Sequence, residues 1–321
     1  MFEVFGVPFD RAGKQLGSAY APTLLRGAGI CDTLKQFGRF ASDLGDVVEL
    51  SPRQRLDDYN EAIESFKCVR ATVEQIMGRN NIPLMLGGDH SLSLASVSGA
   101  IEAQKDGSLA VLWIDAHADI NTPLSSGTQN LHGMPLAALM HRDPDATTAW
   151  SNILTEVVSK KPLLANQLAY IGLRDVEPGE QKAVQGLDGV FSSTMQDVDH
   201  WGLDRVLKAF QNWMNHHGHT HLWISFDVDC LDPVLAPGTG TMVRGGFTYR
   251  EGHYLAEMLH SMLFAENSTI KLAGLDLVEV NPMIDVHNET ARIAIEWLSS
   301  LLGKKVLSSA STVESFLEPM N

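Results

Sequence analysis

The sequence predicts an α/β protein with a central, mostly parallel sheet and helices on both faces. Two observations carry this. Short runs that are apolar throughout, such as residues 109–114, alternate along the chain with amphipathic stretches of helical period, such as residues 57–79. Wholly apolar runs suit strands covered on both faces, as in parallel sheets, and parallel neighbours need crossover segments between them. A third observation concerns organisation: no linker, repeat or shift in composition divides the 321 residues. Residues 1–305 are therefore read as one domain, and 306–321 as a Ser-rich C-terminal tail.

In chain order, residues 2–7 read as a first strand, and 8–20, polar with Gly13 and Gly17, as a loop. Pro22 suits the first position of a helix, where its missing N–H would have no partner anyway. Residues 32–37 add a turn or two. The clearest helix is 57–79, where Tyr59, Ile63, Phe66, Val69, Val73, Ile76 and Met77 recur at steps of three and four. Residues 82–86 form a short buried strand, Gly87-Gly88 permits a sharp turn, and 91–103 is helical. Strand 109–114 is followed by a polar loop, 122–133, long enough to close over a site. Residues 134–141 are helical, whereas 143–166 are too poorly patterned to assign. Strands follow at 167–173 and 190–191, then a helix at 199–215 with Trp201, Val206, Phe210 and Trp213 as its apolar contacts. Strand 221–226 leads to a glycine-rich loop, 238–246. Thr248, with Glu251 three residues on, forms a capping box for a helix reaching 264. The last strand is 270–278 and the last helix 289–302.

The net charge is −15, from 24 basic and 39 acidic residues. An acidic chain argues against nucleic acid and anionic membrane as partners and suits a small cationic substrate. Three scattered cysteines, Cys31, Cys68 and Cys230, imply neither a disulfide framework nor a thiolate metal site. They fit a reducing compartment. With no signal-like start and no membrane-length apolar run, a cytoplasmic location is expected.

Polar residues gather where the apolar runs stop. Strand 109–114 ends in Asp115-Ala116-His117-Ala118-Asp119. If the extended backbone continued, Asp115, His117 and Asp119 would share one face. Gly87-Gly88-Asp89-His90-Ser91 follows another strand, and Asp227-Val228-Asp229 a third. Asp175 and Glu279 follow two more. Ligands bind at the carboxyl ends of parallel strands. Buried carboxylates and imidazoles there need a partner, and divalent metal is the readiest one. Six groups, His90, Asp115, His117, Asp119, Asp227 and Asp229, suggest two ions rather than one. Such a pair, about 3.5–4 Å apart, lowers the pKa of a water between them and gives a hydroxide at neutral pH. Oxygen-rich ligation with imidazole suits Mn2+, Co2+, Fe2+ or Zn2+. Asp89 is read as a supporting group, Cys230 as packing, and residues 216–221, rich in histidine, as a solvated loop away from the chemistry.

These motifs resemble the ureohydrolase family, and within it arginase most closely, from Gly6-Val7-Pro8-Phe9 through Glu279-Val280-Asn281-Pro282. The resemblance implies a three-layer α/β/α fold and two Mn2+ ions. It implies hydrolysis of L-arginine to L-ornithine and urea by a hydroxide bridging the metals. By position, His90, Asp115, Asp119 and Asp227 would hold one ion, and Asp115, His117, Asp227 and Asp229 the other. Asp119 and His132 would move protons, and Glu279 would pair with the guanidinium. Asn121, Thr128 and Asn130 would contact the α-carboxylate, and Asp175 and Glu177 the α-amino group. Two departures bear on affinity: Thr128-Gln129 stands where Ser-Gly is usual, and Glu177 where Asp is usual. Agmatine or another guanidino acid is the alternative substrate, and a non-catalytic metal-binding scaffold the alternative of another class. The resemblance also implies a homotrimer or homohexamer, with Arg250 and Glu251 like residues used at such an interface.

Overall fold

The computed structural model describes residues 1–306. Of the tail read at 306–321, everything from 307 onward lies outside the described residues. Eight parallel strands form one sheet: β1 (Phe2–Gly6), β2 (Phe40–Asp46), β3 (Ile82–Leu86), β4 (Leu109–Ile114), β5 (Leu168–Leu173), β6 (Phe191–Thr194), β7 (His221–Asp227) and β8 (Lys271–Val278). Their order is β2-β1-β3-β8-β7-β4-β5-β6, with every pairing parallel.

Eleven α-helices cover the two faces among the described residues. They are α1 (Ala21–Gly27), α2 (Ile30–Gln36), α3 (Ile63–Gly78), α4 (Ser93–Ala103), α5 (Pro135–Leu139), α6 (Thr148–Glu156), α7 (Pro178–Gln185), α8 (Met195–Trp201), α9 (Leu203–His216), α10 (Tyr249–Phe264) and α11 (Glu289–Leu301). The apolar runs explain the layers. All six side chains of β4 are buried, but alternate residues enter different cores. Ala110, Leu112 and Ile114 face the helices of one side, including α9, α10 and α11. Leu109, Val111 and Trp113 face α3, α4 and α6 on the other. Each fully buried large aliphatic side chain contributes about 1.5–3 kcal/mol, so a two-faced strand is held twice over. The predicted capping box forms: Glu251 N–H donates to Thr248 Oγ1, and Thr248 N–H to Glu251 Oε2.

Several expectations are corrected. Strand β2 carries the polar sequence of an exposed edge, and is held by Arg26, whose Nε meets Asp43 at 2.8 Å and whose Nη1 meets Asp46 at 2.5 Å. The helix expected at 199–215 is two, α8 and α9, broken at Gly202, whose φ of 80° is left-handed. Trp201 is consequently 55% exposed rather than packed. Residues 143–166 contain α6, capped by Thr147. In the histidine-rich loop, His219 is buried and its Nε2 lies 2.6 Å from the Asn166 carbonyl oxygen, so that segment is only partly solvated. Gly87 and Gly88 lack the left-handed φ of a glycine-dependent turn. Gly88 is needed for close approach, since a Cβ there would lie 1.7 Å from the Phe9 carbonyl oxygen.

Candidate metal centre

The four central strands, β3-β8-β7-β4, deliver the site at their carboxyl ends, where the sheet order departs from the chain order. Ile114 pairs with Phe226, so Asp115 and Asp227 leave neighbouring strands side by side. Asp227 pairs with Val278, one residue before Glu279. Leu86 pairs with Leu277, and Glu279 N–H donates to the Gly88 carbonyl at 2.8 Å.

The carboxylates serve the turns and the site together. Asp115 Oδ1 accepts the His117 N–H at 2.7 Å, Asp227 Oδ1 accepts the Asp229 N–H at 2.8 Å, and Asp229 Oδ1 accepts the Ala116 N–H at 3.2 Å. The extended face expected for Asp115, His117 and Asp119 does not exist, because β4 stops at Ile114. Asp119 instead adopts a left-handed φ of 48°, which returns its carboxylate to His90. Glu279 is left-handed too, at 63°. Such conformations in non-glycine residues cost on the order of 1–3 kcal/mol and recur at functional sites.

Two groups result. His90 Nδ1 lies 3.0 Å from Asp115 Oδ2, 3.2 Å from Asp119 Oδ2 and 3.0 Å from Asp227 Oδ2. His117 Nδ1 lies 3.3 Å from Asp115 Oδ1 and 3.1 Å from Asp229 Oδ2. Asp115 is thus shared, one oxygen to each imidazole. Asp227 meets the His90 group through Oδ2, and its Oδ1 accepts a turn N–H while keeping a second lone pair, as Asp115 Oδ1 does.

The donor set fits divalent cations. His90 is 1% exposed, yet Nδ1 makes no directional hydrogen bond to any of the three oxygens around it. Its other nitrogen, Nε2, lies 2.8 Å from Ser225 Oγ. With a cation at Nδ1 in place of a proton, the tautomer protonated at Nε2 would satisfy that contact and turn the Nδ1 lone pair to the ion among the carboxylates. The ring also stacks on Trp113 at 4.0 Å. Burial opposes a proton on His90, but Asp115, Asp119 and Asp227 outweigh it and raise the pKa well above the ordinary value. Burial, then Asp115, pushes Asp119 up to about 6. Asp227 is raised well above the carboxylate range by burial, Asp229 and Asp115. That much crowded negative charge is what bound cations would neutralise.

The predicted substrate residues converge on a cleft of about 230 Å³. His90, His117, Asp119, Asn121, Thr128, Asn130, His132, Asp175, Glu177 and Asp227 line it. Asp115, Asp229 and Glu279 are buried and do not line it. His132 Nδ1 lies 3.0 Å from Glu279 Oε1. Asn121 Nδ2 donates to Glu177 Oε2 at 3.0 Å, and Asn121 Oδ1 accepts from Ser125 Oγ at 2.8 Å. Asp175 is exposed, with Oδ2 3.8 Å from His117 Nε2. Asp89 supports the turn: Oδ2 accepts the Ala12 N–H and Oδ1 the Ser91 N–H.

Ser225, Thr241 and Glu180 carry no motif that marks them, nor does Lys14, which also lines the cleft. Thr241 Oγ1 donates to Asp229 Oδ2 at 2.9 Å. Glu180 lines the cleft, accepts the Ile120 and Glu177 N–H groups, and is pushed up to about 7 by burial and Asp119. Ser225 sits inside an apolar strand, where a small hydroxyl gives no signal. Glu180, three residues after the predicted Glu177 in Pro178-Gly179-Glu180, could have been found as the acid of a helix's first turn.

A parallel three-layer sheet whose central strand ends carry two imidazole–carboxylate groups sharing Asp115 has the architecture of a binuclear metallohydrolase. Residues 1–303 match the Arginase family. The chain is 34% identical over 314 residues to an arginase of Staphylococcus aureus, covering 95% of this chain and 98% of that protein. It is 36% identical over 313 residues to the mitochondrial arginase-2 of Bos taurus, covering 94% and 84%. An arginase structure from Bacillus subtilis has a TM-score of 0.84 at 31% identity, covering 96% of this chain and 99% of that one. This chain belongs to the arginase family, and is a ureohydrolase acting on amidino bonds.

Proposed function

We propose that the protein hydrolyses L-arginine to L-ornithine and urea with two Mn2+ ions. The observation that carries this reading is the division of Asp115, Oδ2 toward His90 and Oδ1 toward His117. His90, Asp115, Asp119 and Asp227 would hold one ion, and Asp115, His117, Asp227 and Asp229 the other. Ions held there lower the pKa of water and supply a nucleophile at neutral pH.

This chain's residues do the rest. Glu279, with Oε1 shared between the His90 N–H and His132, offers its carboxylate to the guanidinium. Asp119 faces His90 through Oδ2, which leaves Oδ1 to carry a proton to the departing amine. Because His132 Nδ1 is engaged by Glu279, Nε2 is the nitrogen that exchanges protons with the cleft. Asn121, Thr128 and Asn130 receive the α-carboxylate, and Asp175 and Glu177 the α-amino group; all five line one cleft. In this reading the protein works as a cytoplasmic homotrimer or homohexamer. Among the described residues no helix is long and apolar enough to cross a membrane.

Urea and ornithine release from Mn2+-loaded protein, with L-arginine and agmatine in parallel, tests the assignment. Equimolar urea and ornithine from arginine, well ahead of agmatine, is expected. Preference for agmatine would make it a sister ureohydrolase. No turnover of either, with metals bound, would leave a silent scaffold.

A further inference from the structure

We infer that Arg55 fixes the Asn130 amide with its NH2 group toward the cleft, and so makes the site select guanidino compounds that carry a carboxylate. This rests on the proposed reading of Asn130 as a carboxylate contact. Arg55 is a positioning residue, acting through Asn130.

Asn130 is 8% exposed and lines both the substrate cleft and an adjoining cleft of about 500 Å³. Arg55, in the segment between β2 and α3, lines the second cleft, and its Nη2 donates to Asn130 Oδ1. A guanidinium has five donors and no acceptor, so the amide atom facing it must be oxygen. The NH2 end is thereby turned away from Arg55, toward the substrate side. The neighbouring Thr128 hydroxyl accepts the Asn130 N–H at 3.3 Å, which leaves its own proton free to donate. Two donors are therefore offered at this wall, with a fixed cation behind one of them. The facing acids, Asp175, Glu177 and Glu180, suit a cation. An α-amino acid carries both charges.

The Arg55 segment is anchored on both sides. Leu56 N–H donates to the Arg11 carbonyl at 2.9 Å, and Arg11 Nε to the Gln54 carbonyl at 2.8 Å. Tyr59 Oη donates to the Gln129 carbonyl at 3.0 Å, tying the segment to the loop that carries Asn130. Without Arg55 the amide is free to rotate and present Oδ1, which repels a carboxylate. The effect should fall on carboxylate-bearing ligands alone.

The test is calorimetric binding of L-ornithine and of putrescine, which lacks the carboxylate, to Mn2+-loaded protein. Wild type, Arg55→Ala, Arg55→Gln and Arg55→Lys are compared, with melting curves to confirm folding. Expected is tighter wild-type binding of ornithine than putrescine. Arg55→Ala should weaken ornithine roughly tenfold and change putrescine less than twofold. Arg55→Lys, and in part Arg55→Gln, should restore ornithine binding, since both keep a donor for Oδ1. In turnover, KM for arginine should rise in Arg55→Ala far more than kcat falls. Equal loss for both ligands, no loss for either, or a wild type that does not prefer ornithine would overturn the inference. Wild type that prefers ornithine by way of Arg55 but fails to release urea from arginine would sink the proposed activity and leave Arg55's role standing.

Discussion

His132 Nδ1 stands 3.0 Å from Glu279 Oε1, the oxygen that also accepts the His90 N–H. Two residues read separately from the sequence, one as proton carrier and one as guanidinium partner, thus form a single hydrogen-bonded unit, with Glu279 buried and His132 half-buried at the cleft. Burial opposes a proton on His132, but Glu279 outweighs it and raises the pKa above the ordinary value. Burial opposes charge on Glu279, and His132 holds the carboxyl low in spite of it.

Removing the charge of Glu279 should therefore act twice. In Glu279→Gln, kcat/KM should fall by about 10²-fold or more, the scale of a lost acid–base or charge-stabilising group. The His132 pKa should also fall, because its anionic partner is gone. Nuclear magnetic resonance titration reads this directly, and an unchanged His132 pKa would contradict the pairing.

The His90 ring is set from behind by Ser225 Oγ, 2.8 Å from Nε2, with Ser93 Oγ 3.1 Å further on. Such supporting bonds typically affect metal affinity about 10–100-fold. Ser225→Ala should lose Mn2+ affinity on that scale while keeping its fold. Asp119→Ala and Asp229→Ala, which remove proposed ligands outright, should lose at least as much affinity and most of the activity. Metal content measured after dialysis at graded Mn2+ would show it; full occupancy in all three would refute the assignment.

Gly88 is the hinge between β3, the Phe9 loop and Glu279. An alanine Cβ would lie 1.7 Å from the Phe9 carbonyl oxygen, while the Gly88 carbonyl accepts the Glu279 N–H. Gly88→Ala should cost about 3 kcal/mol in urea denaturation, the upper end of overpacking. It should also weaken metal binding, since His90 and Glu279 would shift together. A variant as stable as wild type would mean the approach is looser than described.

Away from the proposed ligands, His253 packs between α10 and α11, with Nδ1 2.7 Å from Ser300 Oγ and, among the described residues, no partner for Nε2. Burial lowers its pKa below the ordinary value. The unfolded chain then binds more protons than the folded one just below about pH 6.5, so stability rises with pH through that window. The contribution should be present above about pH 6.5 and lost on acidification toward the depressed folded pKa. His253→Asn should flatten this part of the profile in chelator-treated protein. Identical pH slopes for variant and wild type would rule it out.

Much of this was legible because burial and chemistry left local marks. The apolar runs of β4, β7 and β8 and the abrupt acids after them identify both the sheet and the edge at which the acids and imidazoles gather. What stayed hidden depends on distant partners. The sequence of β2 is polar, and its Asp43 and Asp46 make sense only once Arg26 of α1 lies beside them. Asp119 reaches His90 through a left-handed backbone that residue spacing does not encode. Ser225 and Thr241 have ordinary neighbours in sequence, and only the folded site aims them at His90 and Asp229. Gly202 was visible, but a glycine within a helical pattern does not reveal that the helix ends there.

If the two groups joined by Asp115 form one binuclear hydrolytic centre, activity should depend on two bound ions. Titrating Mn2+ into chelator-stripped protein, with bound metal and urea release from L-arginine followed together, tests it most directly. Two ions per chain are expected, with full activity reached only as the second binds. Saturation at one ion, or urea release that does not track bound metal, would contradict it.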